Sequence, residues 1–419
     1  MYVIAAWAHA GKARAEPDQQ SSKTLDRQSC LGQVTGEEGC VRIAGQSTIT
    51  ACEQTLRNIA RADTNASLRL PSRIRTSIGG GEAALAQVIV TWAQRMEEPQ
   101  LATFLSNLAQ INDFVRRLPG ITSALCCSAA TATDGATSIT EQLIGAALAR
   151  LDAIQGQRPR LGFRGSSSEI VCADHLGRDR PYLLYLPGRH QRGALRPREN
   201  FRDLARWLLM RTIPEPYRPH FDQEAADAIG AMLFETFKNT EDHALVDADG
   251  NLLRISIRAV KTDHHAIRPD TAARLADEFP PLANFCAMLA PAQDAAHAHL
   301  FELSIIDSGP GFASTWTGKP LAELSEEEEE TAVRECFGRG SAKGQDRFGE
   351  GLPHVLRVLQ RQGGFLRLRT GRQSFYLDYG AQNIPDGYAL QRFAPPGAAP
   401  LAPAAGSLVT ILLPMRRGR

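Results

Sequence analysis

The chain has 419 residues, enough for two or three domains that each bury a core, and its formal net charge is +1. With 43% hydrophobic and 22% charged residues it resembles an average globular protein, so bulk charge favours neither a nucleic-acid nor a membrane partner. No apolar run approaches the roughly 18 to 20 residues that a membrane-spanning helix needs, which argues against a membrane protein.

The first 66 residues are rich in small polar side chains and show little periodicity. We expect residues 1–66 to be a poorly ordered leader with one short helix around 49–62. The eight cysteines of the chain form no CxxC pair. This pattern predicts neither a metal site nor a disulfide framework, and it favours reduced thiols in the cytoplasm.

From residue 67 to about 200, strand-like and helical patterns alternate, which predicts an α/β domain of unknown role. The expected strands are 68–74, 121–127 and 170–186, a further apolar segment lies at 101–105, and the expected helices are 82–95, 111–118 and 138–154. Gly79-Gly80-Gly81 lacks the surrounding residues of a phosphate loop and is interpreted as a helix-entry turn. Residues 158–218 are rich in arginine, which suggests surface ion pairs; a nucleic-acid partner is not supported.

A long helix is predicted to begin after Asp222, a suitable N-cap. It carries Glu235, Asn239, Asp242 and His243 at offsets of four, seven and eight. Residues three and four apart lie on successive turns of a helix, so these side chains share one polar face.

Two glycine-containing loops follow the long helix in the sequence. A buried strand over residues 300–306 ends in Asp307-x-Gly309-x-Gly311, which puts a carboxylate at the edge of a pocket where the backbone can approach a ligand. Further on, Gly349-x-Gly351-Leu352 opens an amphipathic helix that runs to about residue 362. Free N–H groups and the positive end of the dipole make a helix N-terminus suited to phosphate. Strands are expected at 364–370, 374–379 and 408–413.

These three blocks, in this order and spacing, resemble the GHKL superfamily of gyrase, chaperone, histidine-kinase and mismatch-repair ATPases. The resemblance covers residues 219–416, about half of the chain. It implies a Bergerat-type α/β sandwich, a mixed sheet with helices on one face, within a domain over residues 201–419. We therefore expect an α/β protein in which a smaller α/β domain precedes this ATP-binding domain.

The resemblance also assigns roles to individual residues. Asn239 would coordinate the Mg²⁺ that bridges the phosphates of ATP, and Asp307 would accept a hydrogen bond from the adenine amino group. Residues 312–348 would form the lid. The same resemblance places further residues in the nucleotide site: Asp242, His243, Gly309, Gly311, Ser341, Gly349, Gly351 and Leu352.

Two activities fit one such pocket. In a hydrolase, Glu235 would be the general base for the attacking water and Lys343 could reach the γ-phosphate. In a protein kinase, of the histidine-kinase or anti-sigma serine-kinase type, the phosphoryl group would pass to a side chain, although no histidine lies in a phosphoacceptor motif. We expect a slow Mg-dependent ATPase acting as a nucleotide-gated switch, with the N-terminal domain contacting a protein partner and a homodimer left open. A scaffold that binds ATP without chemistry is the third alternative.

Overall fold

The fold is built from one parallel and one antiparallel β-sheet, with helices between and outside them. The computed structural model describes residues 39–155, 167–188, 193–268, 271, 274–275, 278–289, 297–339, 351–380, 390–395, 397 and 399–415. Residues from Glu38 onward form one compact unit. The α/β class predicted from the sequence is confirmed.

The first layer contains a four-stranded sheet in the order β1-β3-β5-β6, and all its strand pairs are parallel. Helices connect the strands, as parallel pairing requires. Its strands are β1 (Cys40–Arg42), β3 (Ser67–Leu70), β5 (Gln100–Thr103) and β6 (Ala129–Thr131), and β2 (Gln46–Ser47) pairs with β4 (Arg75–Thr76) beside it. Its helices are α1 (Ile49–Arg61), α2 (Gly81–Arg95), α3 (Leu108–Phe114), α4 (Leu118–Cys126) and α5 (Thr140–Gln155).

Two features of this layer differ from the sequence analysis. Residues 40–66, placed in a poorly ordered leader, contribute strands β1 and β2. The short helix expected around residues 49–62 is confirmed as α1, and the Thr48 hydroxyl caps it by accepting from the Ala51 N–H at 3.0 Å. The strand expected at 121–127 is wrong, because these residues belong to helix α4. All nine residues of α4 are buried, so the segment carries no polar stripe that would reveal helical periodicity. Pro119 in its first turn suits a helix start.

The second layer contains a seven-stranded sheet in the order β12-β11-β10-β13-β9-β8-β7. Its strands are β7 (Ser167–Ala173), β8 (Ile257–Ile267), β9 (Ala298–Ile306), β10 (Phe365–Gly371), β11 (Gln373–Asp378), β12 (Gln391–Arg392) and β13 (Ala404–Met415). Its helices are α6 (Arg198–Thr212), α7 (Gln223–His243), α8 (Pro280–Leu289), α9 (Phe312–Thr317), α10 (Glu326–Arg339) and α11 (Gly351–Gln362).

This sheet departs from the expected form in three ways. A mixed sheet was expected, but every described pairing in it is antiparallel. Helices were expected on one face, but both faces of the sheet are covered. On one face, α6 contacts β8 through a hydrogen bond between the Thr212 and Thr262 hydroxyls, and on the other face α2 packs on β13. Strand β7, which lies before the expected boundary at residue 200, is part of this sheet. The second face of the sheet is covered because helix α2 of the first layer packs against it.

Charged side chains lie buried between the two layers. Glu53 of α1 and Arg369 of β10 are 3% and 1% exposed, and they form a bidentate pair at 2.8 and 2.9 Å. Gly79 and Gly80 form the turn into α2, as the sequence predicted, and the Gly79 N–H donates to the Glu302 carboxylate at 2.9 Å. None of the helices in the described ranges is long and apolar enough to cross a membrane.

Candidate nucleotide site

The loop after β9 holds the carboxylate that the sequence singled out. Asp307 is 8% exposed, and its Oδ1 accepts a hydrogen bond from the Gly309 N–H at 2.9 Å. Its own N–H donates to the Ser407 carbonyl at 2.9 Å, which fixes the loop to β13. Burial raises the pKa of Asp307 to about 6, while hydrogen bonds from Gly309 and Ser407 and the charge of Arg258 act in the opposite direction.

Two glycines of this loop occupy positions where a side chain would not fit. A Cβ at Gly309 would lie 2.6 Å from the Cα of Ala244 and 3.1 Å from the His243 carbonyl oxygen. Gly311 has φ of 84° and adjoins the Thr370 hydroxyl, where a Cβ would approach Oγ1 to 2.7 Å. The loop therefore comes within contact distance of the C-terminal end of α7 and of β10.

Helix α7 begins at the predicted N-cap, since the Asp222 carboxylate accepts from the Ala225 N–H at 2.9 Å. Its candidate residues lie on the partly exposed face. The Glu235 side chain is 20% exposed and lies 3.5 Å from Nη1 of Arg198, the first residue of α6. Asn239 and His243 are half-buried. Asp242 is exposed and forms an ion pair with Lys238 one turn earlier.

Helix α11, described from Gly351 onward, packs along α7. The Leu352 side chain is 4% exposed and belongs to the hydrophobic core. Leu352 could therefore contact a nucleotide only through its backbone. Ser341, Lys343 and Gly349 lie outside the described residues.

The described part of the predicted lid is a packed helical segment. Helices α9 and α10 contact one another, and Val333 and Phe337 are buried in the core. The sequence places the acidic run 326–330 on a solvated helix face, because a carboxylate cluster would repel triphosphate, and Glu326, Glu327 and Glu328 are exposed as expected. Glu329 is instead fully buried, and its carboxylate accepts hydrogen bonds from the backbone N–H and the Nε of Arg372, each at 2.7 Å. A carboxylate there caps the turn between β10 and β11.

One network beside the site has no sequence motif. Glu241, on α7 between Asn239 and Asp242, accepts hydrogen bonds from Arg258, Arg180 and the Tyr185 hydroxyl at 2.6 to 2.7 Å. Burial acts to raise the pKa of Glu241, but these three groups together hold it below its usual value. The network fixes the end of α7 to β8 and to the segment after β7.

A second polar cluster lies on the opposite face of the sheet. The candidate ligand atoms of Asp263, His265 and Glu302 all lie within 4.8 Å of one another. His265 Nε2 already contacts Glu302 at 3.0 Å, and Lys261 Nζ contacts Asp263 at 3.1 Å. Since an ammonium and an imidazole already offset the carboxylates, we interpret this cluster as an ion-pair seam between the layers.

Comparison of the chain with protein-family models, with curated proteins and with solved structures gives no match.

Proposed function

We propose that the second layer binds Mg-ATP against α7, the Asp307–Gly311 loop and the N-terminus of α11, and hydrolyses it slowly as a nucleotide-gated switch. The observation that carries the proposal is the approach of Gly309 to Ala244, which joins two segments more than sixty residues apart in the sequence. These are the first two of the three blocks that resemble the GHKL superfamily. Helix α11, which follows the third block, packs against the same helix.

The residues present fit such a ligand. Gly309 and Gly311 let the loop pack closely against the end of α7 and against β10, where any side chain would intrude, and Asp307 offers a carboxylate for the adenine amino group. Asn239 supplies an amide oxygen, the type of ligand that Mg²⁺ prefers, and the metal would neutralise phosphate charge. The first N–H groups of α11 have no intrahelical acceptor and are suited to phosphate.

Glu235 is assigned the role of general base. It stands one helical turn before Asn239, so a water between its carboxylate and a γ-phosphate would be within reach. Arg198 forms an ion pair with this carboxylate at 3.5 Å. Lys343 and Ser341 keep the roles that the superfamily resemblance gives them.

The first layer would contact the protein partner that reads the nucleotide state, because α2 lies directly against the nucleotide-binding sheet. We place the protein in the cytoplasm because the seven cysteines of the described residues are all free thiols.

The test identifies both product and base. Wild-type protein with labelled Mg-ATP should release inorganic phosphate and label no polypeptide. Glu235→Gln should reduce this release by about two to four orders of magnitude while retaining ATP, because the carboxylate acts on water and not on the bound nucleotide. Phosphate release by the variant at the wild-type rate would remove Glu235 from the mechanism.

Two control arms accompany this experiment. Removal of magnesium with a chelator and Asn239→Ala should each abolish metal-dependent retention of ATP in folded protein. Label on a polypeptide would favour the protein-kinase alternative, and absence of ATP binding by the wild-type protein would refute the proposed site.

A further inference from the structure

Helix α2 of the first layer makes direct hydrogen bonds to the loop that carries Asp307. The Gln94 side-chain amide donates from Nε2 to the Ser308 carbonyl at 2.8 Å and to the Ile255 carbonyl at 3.0 Å. Ser308 is fully buried, and its hydroxyl accepts from the Ile257 N–H at 2.8 Å. Both the carbonyl and the side chain of Ser308 are therefore held from outside the loop.

The Ser308 carbonyl and the Gly309 N–H belong to one peptide unit. A peptide unit is planar, so fixing the direction of its carbonyl also fixes the direction of its N–H. In this unit the N–H donates to Oδ1 of Asp307 at 2.9 Å. The Gln94 amide thus helps to fix, through one rigid plane, the orientation of the Asp307 carboxylate, which also accepts hydrogen bonds from the backbone and the side chain of Ser407.

We infer that Gln94 is a positioning residue that sets the orientation of the Asp307 carboxylate and thereby the preference for adenine over guanine. The inference rests on the proposed function, since it assigns Asp307 to the base of a nucleotide. Adenine presents an amino donor at position 6 and guanine presents a carbonyl acceptor there, so a carboxylate held in place attracts the first and repels the second.

Two further side chains of α2 make hydrogen bonds to the beginning of β13, which lies beside the Asp307 loop. Gln87 Nε2 donates to the Ala405 carbonyl at 3.0 Å, and the Thr91 hydroxyl accepts from the Ala405 N–H at 2.9 Å. The next residue, Gly406, donates its N–H to the Gly309 carbonyl at 2.9 Å. One helix of the first layer therefore holds both segments that enclose Asp307.

The experiment titrates fluorescent ATP and GTP analogues into wild-type protein, Gln94→Met and Gln94→Glu across pH 5 to 8. Both variants lack the donor: methionine keeps the length and helical preference of glutamine, and glutamate repels the Ser308 carbonyl. We expect each to weaken ATP binding about five- to tenfold and GTP binding little, so that the ATP-to-GTP ratio falls. Since the Gly309 N–H lowers the pKa of Asp307, the pH midpoint for ATP binding should also rise.

Trp92→Phe is the matched control. It removes a buried hydrogen bond of the same helix, from the indole Nε1 to the Ala66 carbonyl at 2.9 Å, which lies within the first layer. It should lower the melting temperature and leave the ATP-to-GTP ratio and the pH midpoint unchanged. Wild-type values of both quantities in the folded Gln94 variants would overturn the inference.

Asp307→Asn separates the two possible failures. If Asp307→Asn loses the ATP preference and both Gln94 variants retain it, the nucleotide site stands and only the role of Gln94 is wrong. If wild-type protein binds neither analogue, the proposed function fails, and this inference fails with it.

Discussion

At the scale of single residues, Asp307 carries most of the chemistry of the proposed nucleotide site. It is a buried carboxyl group that accepts from the next peptide unit and adjoins two glycines. Its surroundings give it a pKa well above the ordinary value of an aspartate, because burial outweighs the neighbouring donors. Asp307 therefore titrates at about pH 6, a pH at which its charge would affect the proposed recognition of a base.

The affinity for ATP should depend on pH through this carboxyl group. With a pKa of about 6, Asp307 is protonated below that pH and becomes a strong acceptor above it, so ATP should bind more tightly as pH rises from 5 to 7. A charge-assisted hydrogen bond is about twice as strong as a neutral one, which predicts a change of about five- to tenfold. Calorimetric titration at each pH measures it.

Asp307→Asn provides the reference, because the phosphates of ATP titrate in the same pH range. The difference between the two pH profiles isolates the contribution of Asp307. Parallel profiles for wild type and variant would contradict the assignment of Asp307 to the base.

At the scale of elements, the approach of the Asp307–Gly311 loop to the end of α7 determines whether one site exists. Gly309→Ala would place a methyl group 2.6 Å from the Cα of Ala244 and 2.9 Å from its Cβ. Overpacking of this kind costs about 1 to 3 kcal/mol, and the two segments would have to separate. We expect lower stability and at least tenfold weaker ATP binding, measured by denaturant unfolding and titration.

Gly145→Ala is the control for this substitution. Gly145 lies within α5, and a Cβ there meets no atom within 4 Å. Alanine should stabilise that helix by about 0.5 to 1 kcal/mol and leave ATP binding unchanged. Equal ATP affinity in Gly309→Ala and wild type would show that the contact between loop and helix is not needed for the site.

At the scale of the whole molecule, buried charges join the two layers. Glu53→Gln would leave the guanidinium of Arg369, which is 1% exposed, without its carboxylate partner. Removing one member of a buried pair costs about 3 to 5 kcal/mol, because the remaining charge stays desolvated. The free energy of unfolding, from urea titration, should fall by this amount.

The exposed pair between Arg178 and Asp152 serves as the comparison. These side chains are 34% and 59% exposed, so Asp152→Asn should change the unfolding free energy by less than about 1 kcal/mol. A similarly small effect of Glu53→Gln would mean that the layers do not depend on the buried pair.

The periodicity and capping signals of the sequence by themselves predicted many helices and strands of the second layer. The long helix after Asp222, the strand before Asp307 and the last strand of the chain lie where periodicity and capping predicted them. Such signals arise from contacts within a few residues, and an amphipathic helix or a buried strand retains them in any fold. The four polar residues of α7 on one face and the turn at Gly309 were accessible to the same reasoning.

Tertiary structure alone decided the rest. The helix at 118–126 is buried on every side, so its sequence shows no alternation of polar and apolar residues. Strand β7 pairs with β8 of the second sheet, although it lies before the expected domain boundary at residue 200. Gln94, Glu53 and Glu241 find their partners on distant segments, so no spacing in the sequence could mark them. The physical reason is that hydrogen bonds to backbone carbonyls and buried ion pairs depend on which elements pack together, a property that local composition does not encode.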